Sequence, residues 1–393
     1  MAESVNDNQK KFKNSKNAFS FIFLICVVLL ISGLTIVSVM NTGYFQQFDT
    51  DAITAVFSHI TGKNNDPSTK QLTVLNTLST VGVSDAYVSC GKYLYVSNGR
   101  DITVYDTTGE PVHKEIIEIK DPVTASNAEY ALIGDRQERT VYMYKGLKRI
   151  ALLEVTGDIR MITVNDNGYI GIICDDATAR SKISFYNYNG KKICDIYKRE
   201  TLAVNTSVLS SGKEYVVYSV GILGTGFISN FEFSDFLSDS PHAAYNNSGV
   251  LYSILFPTAD MKVIAANETG IYCFDRNATL VWSVEPGNIN AVNRFKNGIV
   301  YTAQNITGDY TTVFSDLSGN KLGEYSYGRN IIGIYTYDNI IAVNYGREIA
   351  FFDGEGSILK KYSSKSDISD VRLLGRTNAV SITANDMTFI KFN

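Results

Sequence analysis

The sequence predicts an all-β fold of eight repeated units, closed into a ring by its own N-terminal strand and preceded by a single transmembrane α-helix. Three observations predict it: an uncharged apolar run near the N-terminus, a turn motif recurring about every 41 residues, and a final repeat that stops one strand short. Composition sets the background. The 393 residues carry 36 Lys+Arg against 40 Asp+Glu, a net charge of −4 that argues against a broad basic nucleic-acid surface. With 45% hydrophobic residues the chain can bury a large core, and its 3 His, 5 Cys and 1 Trp leave little material for zinc clusters or haem ligation.

The membrane element comes first in the chain. Ala18 to Met40 contains no charged residue over 23 positions, about 34 Å of helix at 1.5 Å per residue and enough to cross the bilayer core. Lys10, Lys11, Lys13 and Lys16 precede it, whereas no Lys or Arg follows until Lys63. The positive-inside rule therefore places residues 1–17 in the cytoplasm and the remainder outside, with residues 18–40 in the lipid bilayer. A cleavable signal has a shorter apolar region and a small-residue exit; this run ends Val37-Ser38-Val39-Met40, so an uncleaved signal anchor is expected. Within the connection 41–70, Phe45, Phe48, Ala52, Val56 and Ile60 recur at helical spacing, and Gly62 to Ser68 reads as a joint.

Beyond residue 70 the helical period gives way to short runs of Val, Ile, Tyr, Phe and Thr between Gly, Asn and Asp turns. One phrase recurs, a strand ending in an aromatic residue and Asp or Asn, then a tight turn. It reads VYDTTGE, FYNYNGK, CFDRNAT, FSDLSGN and FFDGEGS, with strand ends at Asp106, Asn187, Asp275, Asp316 and Asp353 and a shorter version at Lys145. The Asn187–Asp275 gap of 88 residues is two repeats, which puts a divergent unit between them with its strand end near Ser234. An Asp or Asn side chain holds such a turn by accepting backbone N–H groups two residues on, so these five residues are expected to be structural.

Four short strands per unit of this length are the signature of β-propeller blades. Blade 1 reads as Ser84–Cys90, Lys92–Ser97, Asp101–Asp106 and Val112–Ile119. Second strands such as 93–96, 298–303 and 340–343 are apolar with weak alternation, as when both faces are covered. The chain ends at the turn position of unit eight, which therefore lacks a fourth strand. Gln71–Thr77 can supply it, closing the propeller and removing its open edges.

In basic tail, single membrane helix and repeat phrasing, the chain resembles an uncharacterised family of bacterial, Gram-positive, membrane-anchored extracytoplasmic propellers classed as a domain of unknown function. The resemblance spans essentially the whole chain. It implies a fold and a location and brings no activity. A looser likeness to quinoprotein-type propellers rests on Ala278-Thr279-Leu280-Val281-Trp282-Ser283. Those proteins usually repeat a Trp-docking motif in most blades; only Trp282 is present here, so no quinone cofactor is implied.

No catalytic constellation emerges, and neither metal nor cofactor is expected. His59, His113 and His242 fall in separate units. Asn165-Asp166-Asn167-Gly168 opens with an amide and reads as a turn rather than a calcium loop. The run Gly221 to Gly226 is followed by another strand, which makes it a hairpin rather than a phosphate cradle. Cys174 and Cys194 fall two strands apart, about 9.6 Å, beyond disulfide reach, and four buried free thiols are expected.

Blade 4 departs most from the repeat. Residues 221–249 combine the Gly-rich run with Phe227, Phe231, Phe233, Phe236 and His242, which makes them the candidate partner-binding residues. The alternative role for these aromatics is completion of the blade core. The function expected is a non-enzymatic, membrane-tethered scaffold for a protein or cell-envelope partner. A small-ligand or sugar sensor using the channel, or a hydrolase or lyase with acids drawn from separate blades, are the other readings.

Overall fold

The computed structural model describes residues 72–79, 86–328 and 331–392. The basic tail, the membrane segment 18–40 and the amphipathic stretch of 41–70 lie outside the described residues. Among the described residues no helix is long and apolar enough to cross a membrane.

The described chain forms eight four-stranded antiparallel sheets. Seven are local meanders of four consecutive strands. The eighth is completed by Thr73–Ser79, which pairs with Asp386–Lys391 from Thr73↔Lys391 to Ser79↔Asp386, with a bulge between Val74 and Asn76. The predicted closure is therefore present, shifted two residues along the chain. The ends of this strand follow the register of its partner rather than local propensity. The fourth strand of blade 1 is shorter than expected, Pro111–Glu115, because Ile117 and Ile119 leave the sheet and bury themselves between blades 1 and 2.

Burial explains why this sequence makes blades. Among the described residues eight hydrophobic clusters occur, one at each seam between neighbouring blades, so the core is shared between blades. In the second strand of blade 3, Ile172 faces the seam with blade 2 while Ile173 faces blade 4. In blade 4, Val216 and Tyr218 face blade 5 while Tyr215 and Val217 face blade 3. Strand side chains alternate between faces, so a strand sandwiched by two blades must be apolar at every position. The seam of blades 8 and 1, with Leu94 and Val96 against Val380, Ile382 and Phe389, closes the ring.

Side-chain amides reinforce the seams. Asn127 Nδ2 donates to the Asn165 carbonyl at 2.6 Å, and Asn165 Nδ2 donates onward to Val208 O at 3.0 Å, linking blades 2, 3 and 4. Asn293 and Asn344 make the same kind of bond between blades 6 and 7 and blades 7 and 8. Amides of this type, buried at Asn165 and Asn344 and half-buried at Asn127 and Asn293, are satisfied across the seam and so fix one blade's height against the next.

The topology defines two faces. Turns from first to second strand and from third to fourth lie at one end of every blade, here the turn face. Hairpins between second and third strands, and the connectors between blades, lie at the other, the connector face. Thr73 pairs at the turn end of Asp386–Lys391, so the chain enters the ring on the turn face.

Candidate functional site

The repeated aspartates hold the turn face. Asp106 Oδ1 accepts the N–H groups of Thr108 at 2.8 Å and Glu110 at 3.2 Å. Asn187 accepts from Asn189 and Lys191, Asp275 from Asn277 and Thr279, Asp316 from Ser318 and Asn320, and Asp353 from Glu355 and Ser357. All five residues point inward to their own turns and none converges on another. The divergent unit has its counterpart one residue beyond the expected strand end: Asp235 accepts from Leu237 N at 2.8 Å and Ser238 Oγ at 2.9 Å. Burial opposes ionisation of Asp106 and Asp316, but hydrogen bonds from their turns outweigh it and hold both carboxyls below the usual range.

The blade 4 aromatics are placed differently from the expectation. Phe231 and Phe233 are fully buried in the seam with blade 5, where Phe231 lies 4.8 Å from Tyr218 and 5.3 Å from Phe274. Phe236 packs on Phe185 and Tyr215 in the seam with blade 3. Phe231 and Phe233 complete the core and are closed to a partner, and half-buried Phe236 packs beside the neighbouring seam. The reason is that residues 221–249 are no appended lobe: they contain all of Gly226–Asp235 and all of Ala243–Ser248, the third and fourth strands of the blade. Phe227 is half-buried opposite Ile222, and exposed His242 sets Nε2 3.0 Å from the Arg276 carbonyl.

What the insertion does build is a projecting hairpin. Glu214–Leu223 and Gly226–Asp235 have ten residues each, whereas every other described strand has four to seven. A two-residue turn joins them, with Gly224 at a φ of 60° that favours glycine. The first strand of the blade pairs only as far as Val220, so the tip stands about 10 Å beyond it. At the tip Ile222 is 74% and Leu223 57% exposed. Ile116, Leu251, Ile306 and Ile332 are exposed on the same connector face. The aliphatic tip escaped sequence reasoning because two residues beside a glycine turn carry no periodicity; only the extra strand length, invisible without register, sets them apart.

A second concave feature runs along the ring axis. A cavity of about 1040 Å³ is lined by residues from all eight blades, from Ser89 of blade 1 to Arg376 of blade 8. Its walls are rich in hydroxyls and amides, among them Ser126, Thr163, Asn205 and Ser253. Ionic groups gather at its turn-face mouth. Lys296 and Arg376 both pair with Asp338, joining blades 6 and 8 to blade 7. Arg294 of blade 6 donates Nη1 to Pro257 O and Nη2 to both carboxylate oxygens of Asp166 in blade 3, each at 2.6 Å. Among the described residues every other ion pair lies within a blade or between neighbours; this one crosses the channel.

Of the cysteines, Cys90, Cys174 and Cys273 are buried free thiols, while Cys194 is half-buried on an outer strand. Burial pushes the Cys90 and Cys273 thiols up to about 12, which leaves them protonated and inert. Among the described residues no three His, Cys, Asp or Glu side chains gather as a metal site.

Fold and channel together define an eight-bladed β-propeller with a polar axial cavity. The chain belongs to DUF5711, described as a family of unknown function, whose profile matches residues 65–392. No curated protein sequence matches it. Among solved structures it is similar to the C-terminal WD40 domain of Sif2 (TM-score 0.60, 12% identity, 82% of this chain and 99% of that one). It is also similar to BamB from Moraxella catarrhalis (TM-score 0.51, 12% identity, 82% and 100%). A third likeness is to the quinohemoprotein alcohol dehydrogenase ADHIIG from Pseudomonas putida HK5 (TM-score 0.51, 9% identity, 84% and 77%). At these identities the likeness is one of fold. Trp282, on which the quinoprotein likeness rested, donates Nε1 to Leu317 O at 3.1 Å and lies over Gly319, bracing blade 5 against blade 6.

Proposed function

We propose that the protein is a non-enzymatic propeller platform that captures a protein partner on its connector face, tethered by residues 18–40 with the propeller outside the cell. The observation that carries this reading is the projecting blade 4 hairpin with its exposed Ile222 and Leu223. Exposed aliphatic side chains at the tip of a strand pair cost solvation and add nothing to the core, and burial against a partner recovers that cost. Repeat folds often place their binding contacts in insertions on one face. The chain enters the ring at Thr73, on the opposite face from the hairpin. The tether and orientation rest on the uncharged run 18–40 and the lysines ahead of it.

A photo-crosslinking residue placed at Leu223 of the full chain in intact cells should capture a discrete partner, and Ile222→Asp should abolish that capture while the unfolding midpoint stays in place. Undiminished capture by the Asp variant would sink the reading. The orientation has its own test. Protease added outside intact cells should remove the propeller, and full protection would reverse the topology.

A further inference from the structure

The mouth of the axial channel carries an inference independent of the hairpin. We propose that it binds a small polar carboxylate, recognised by Arg294, and that Asp166 is an internal stand-in which the ligand's carboxylate displaces.

The two ends of the Arg294–Asp166 pair are unequally held. Arg294 grows from the innermost strand of blade 6 (Ile289–Phe295); its side chain is 21% exposed and its Nη1 is anchored on Pro257 O. Asp166 sits on the turn between Ile159–Val164 and Ile170–Cys174 of blade 3, and its side chain is 64% exposed. Releasing Asp166 to water therefore costs little, whereas moving Arg294 would strand a partly buried guanidinium and an anchored carbonyl bond. The displaceable partner is the anion, so an anion is what the site accepts. A cationic ligand would have to evict the anchored group.

Geometry agrees with this. Reaching across from three blades away, Asp166 meets only Nη2, with both of its oxygens on that one nitrogen. A free carboxylate is under no such tether and can approach the guanidinium along the channel, where paired N–H donors favour it. Once Asp166 swings out, the mouth keeps Arg294, Lys296 and Arg376 against Asp338 alone, an excess of positive charge. The hydroxyl- and amide-rich wall below and a volume of about 1040 Å³ suit a polar molecule the size of a sugar acid or acidic peptide, with water beside it. A brace is a weak account of the pair. An ion pair with one exposed end contributes about 0–1 kcal/mol, and the ring is already held at eight apolar seams.

Isothermal titration of the full chain in detergent micelles with D-glucuronate tests this, with D-glucose as the uncharged counterpart. Glucuronate should bind and glucose should not. Asp166→Asn should tighten glucuronate about fivefold, the factor gained by freeing Arg294 from a partly exposed partner. Arg294→Gln should abolish binding with its unfolding midpoint kept. If that variant does not fold, the Asp166→Asn comparison decides alone. Glucuronate binding that is absent in Asp166→Asn, or no tighter than in the natural chain, would overturn the proposal, as would equal binding of glucose.

Discussion

The two faces of the ring differ in how uniform they are. On the turn face one device recurs in blades 1, 3, 5, 6 and 7: an Asp or Asn accepts N–H groups two and four residues on, and the residue three positions on, a glycine in all but blade 5, takes a positive φ. On the connector face an Asn or Asp at or just past the end of the second strand also recurs, at Asn98, Asp135, Asp176 and Asn267, accepting N–H groups two and three residues on, but what the loops carry beyond it differs from blade to blade. Loop length varies, blade 4 projects a long hairpin, and aliphatic side chains stand in water at Ile116, Ile222, Leu223 and Ile306. The difference teaches where constraint lies. A turn that must reverse the chain beside a neighbouring blade leaves few choices, whereas a loop free of the seams can carry whatever a partner requires.

The sharpest way to break this contrast is through blade 4, where the insertion and the core meet. Phe231→Ala removes a fully buried ring from the seam with blade 5 and should cost about 3–5 kcal/mol in urea unfolding. A loss below 1 kcal/mol would return Phe231 to the candidate contact residues. Next come two turns that share one motif but carry different residues at its positive-φ position. Gly356 has a φ of 87° and an added Cβ would lie 2.6 Å from the Phe314 ring, so Gly356→Ala should cost about 2 kcal/mol. Ala278 occupies the equivalent position at a φ of 59°, and Ala278→Gly should be neutral or slightly stabilising in the same assay.

Smaller again is the effect of the turn carboxylates. Asp316→Ala should cost about 1 kcal/mol at pH 7, since two turn N–H groups lose their acceptor. Because the folded carboxyls of Asp106 and Asp316 are held below their unfolded values, their contribution is present above about pH 4 and is lost as pH falls through the folded value. Asp106→Asn with Asp316→Asn should therefore lose less stability than the natural chain between pH 6 and pH 3. An identical acid profile would remove these turns from the account. Smallest is Ile222→Ser, which should shift stability by no more than about 0.5 kcal/mol because Ile222 is largely exposed at the hairpin tip. A large loss there would mean that the tip is core.

How much was legible follows from these same particulars. The repeat, the number of blades and the closing strand could all be read, because a turn and its alternating strands are encoded within a dozen residues. Asp235 was displaced by one position and the closing strand by two, since pairing partners far along the chain set those ends. The candidate contacts Phe231 and Phe233 turn out to lie in the core, which the sequence left open for a plain reason. An aromatic run in an irregular unit looks alike whether it faces a neighbouring blade or solvent, and only the seam of blades 4 and 5 tells them apart.

The sequence by itself determined the all-β repeat and its length, because local turn chemistry and period-two burial act between near neighbours. It also carries the uncharged run 18–40 and the charge asymmetry around it, on which the tether rests. Only the tertiary structure decided which aliphatics reach water and which residues share the channel. Asp166 and Arg294 are 128 positions apart and meet because ring closure brings blades 3 and 6 across one axis. That juxtaposition is a property of the closed ring, and no local pattern can encode it.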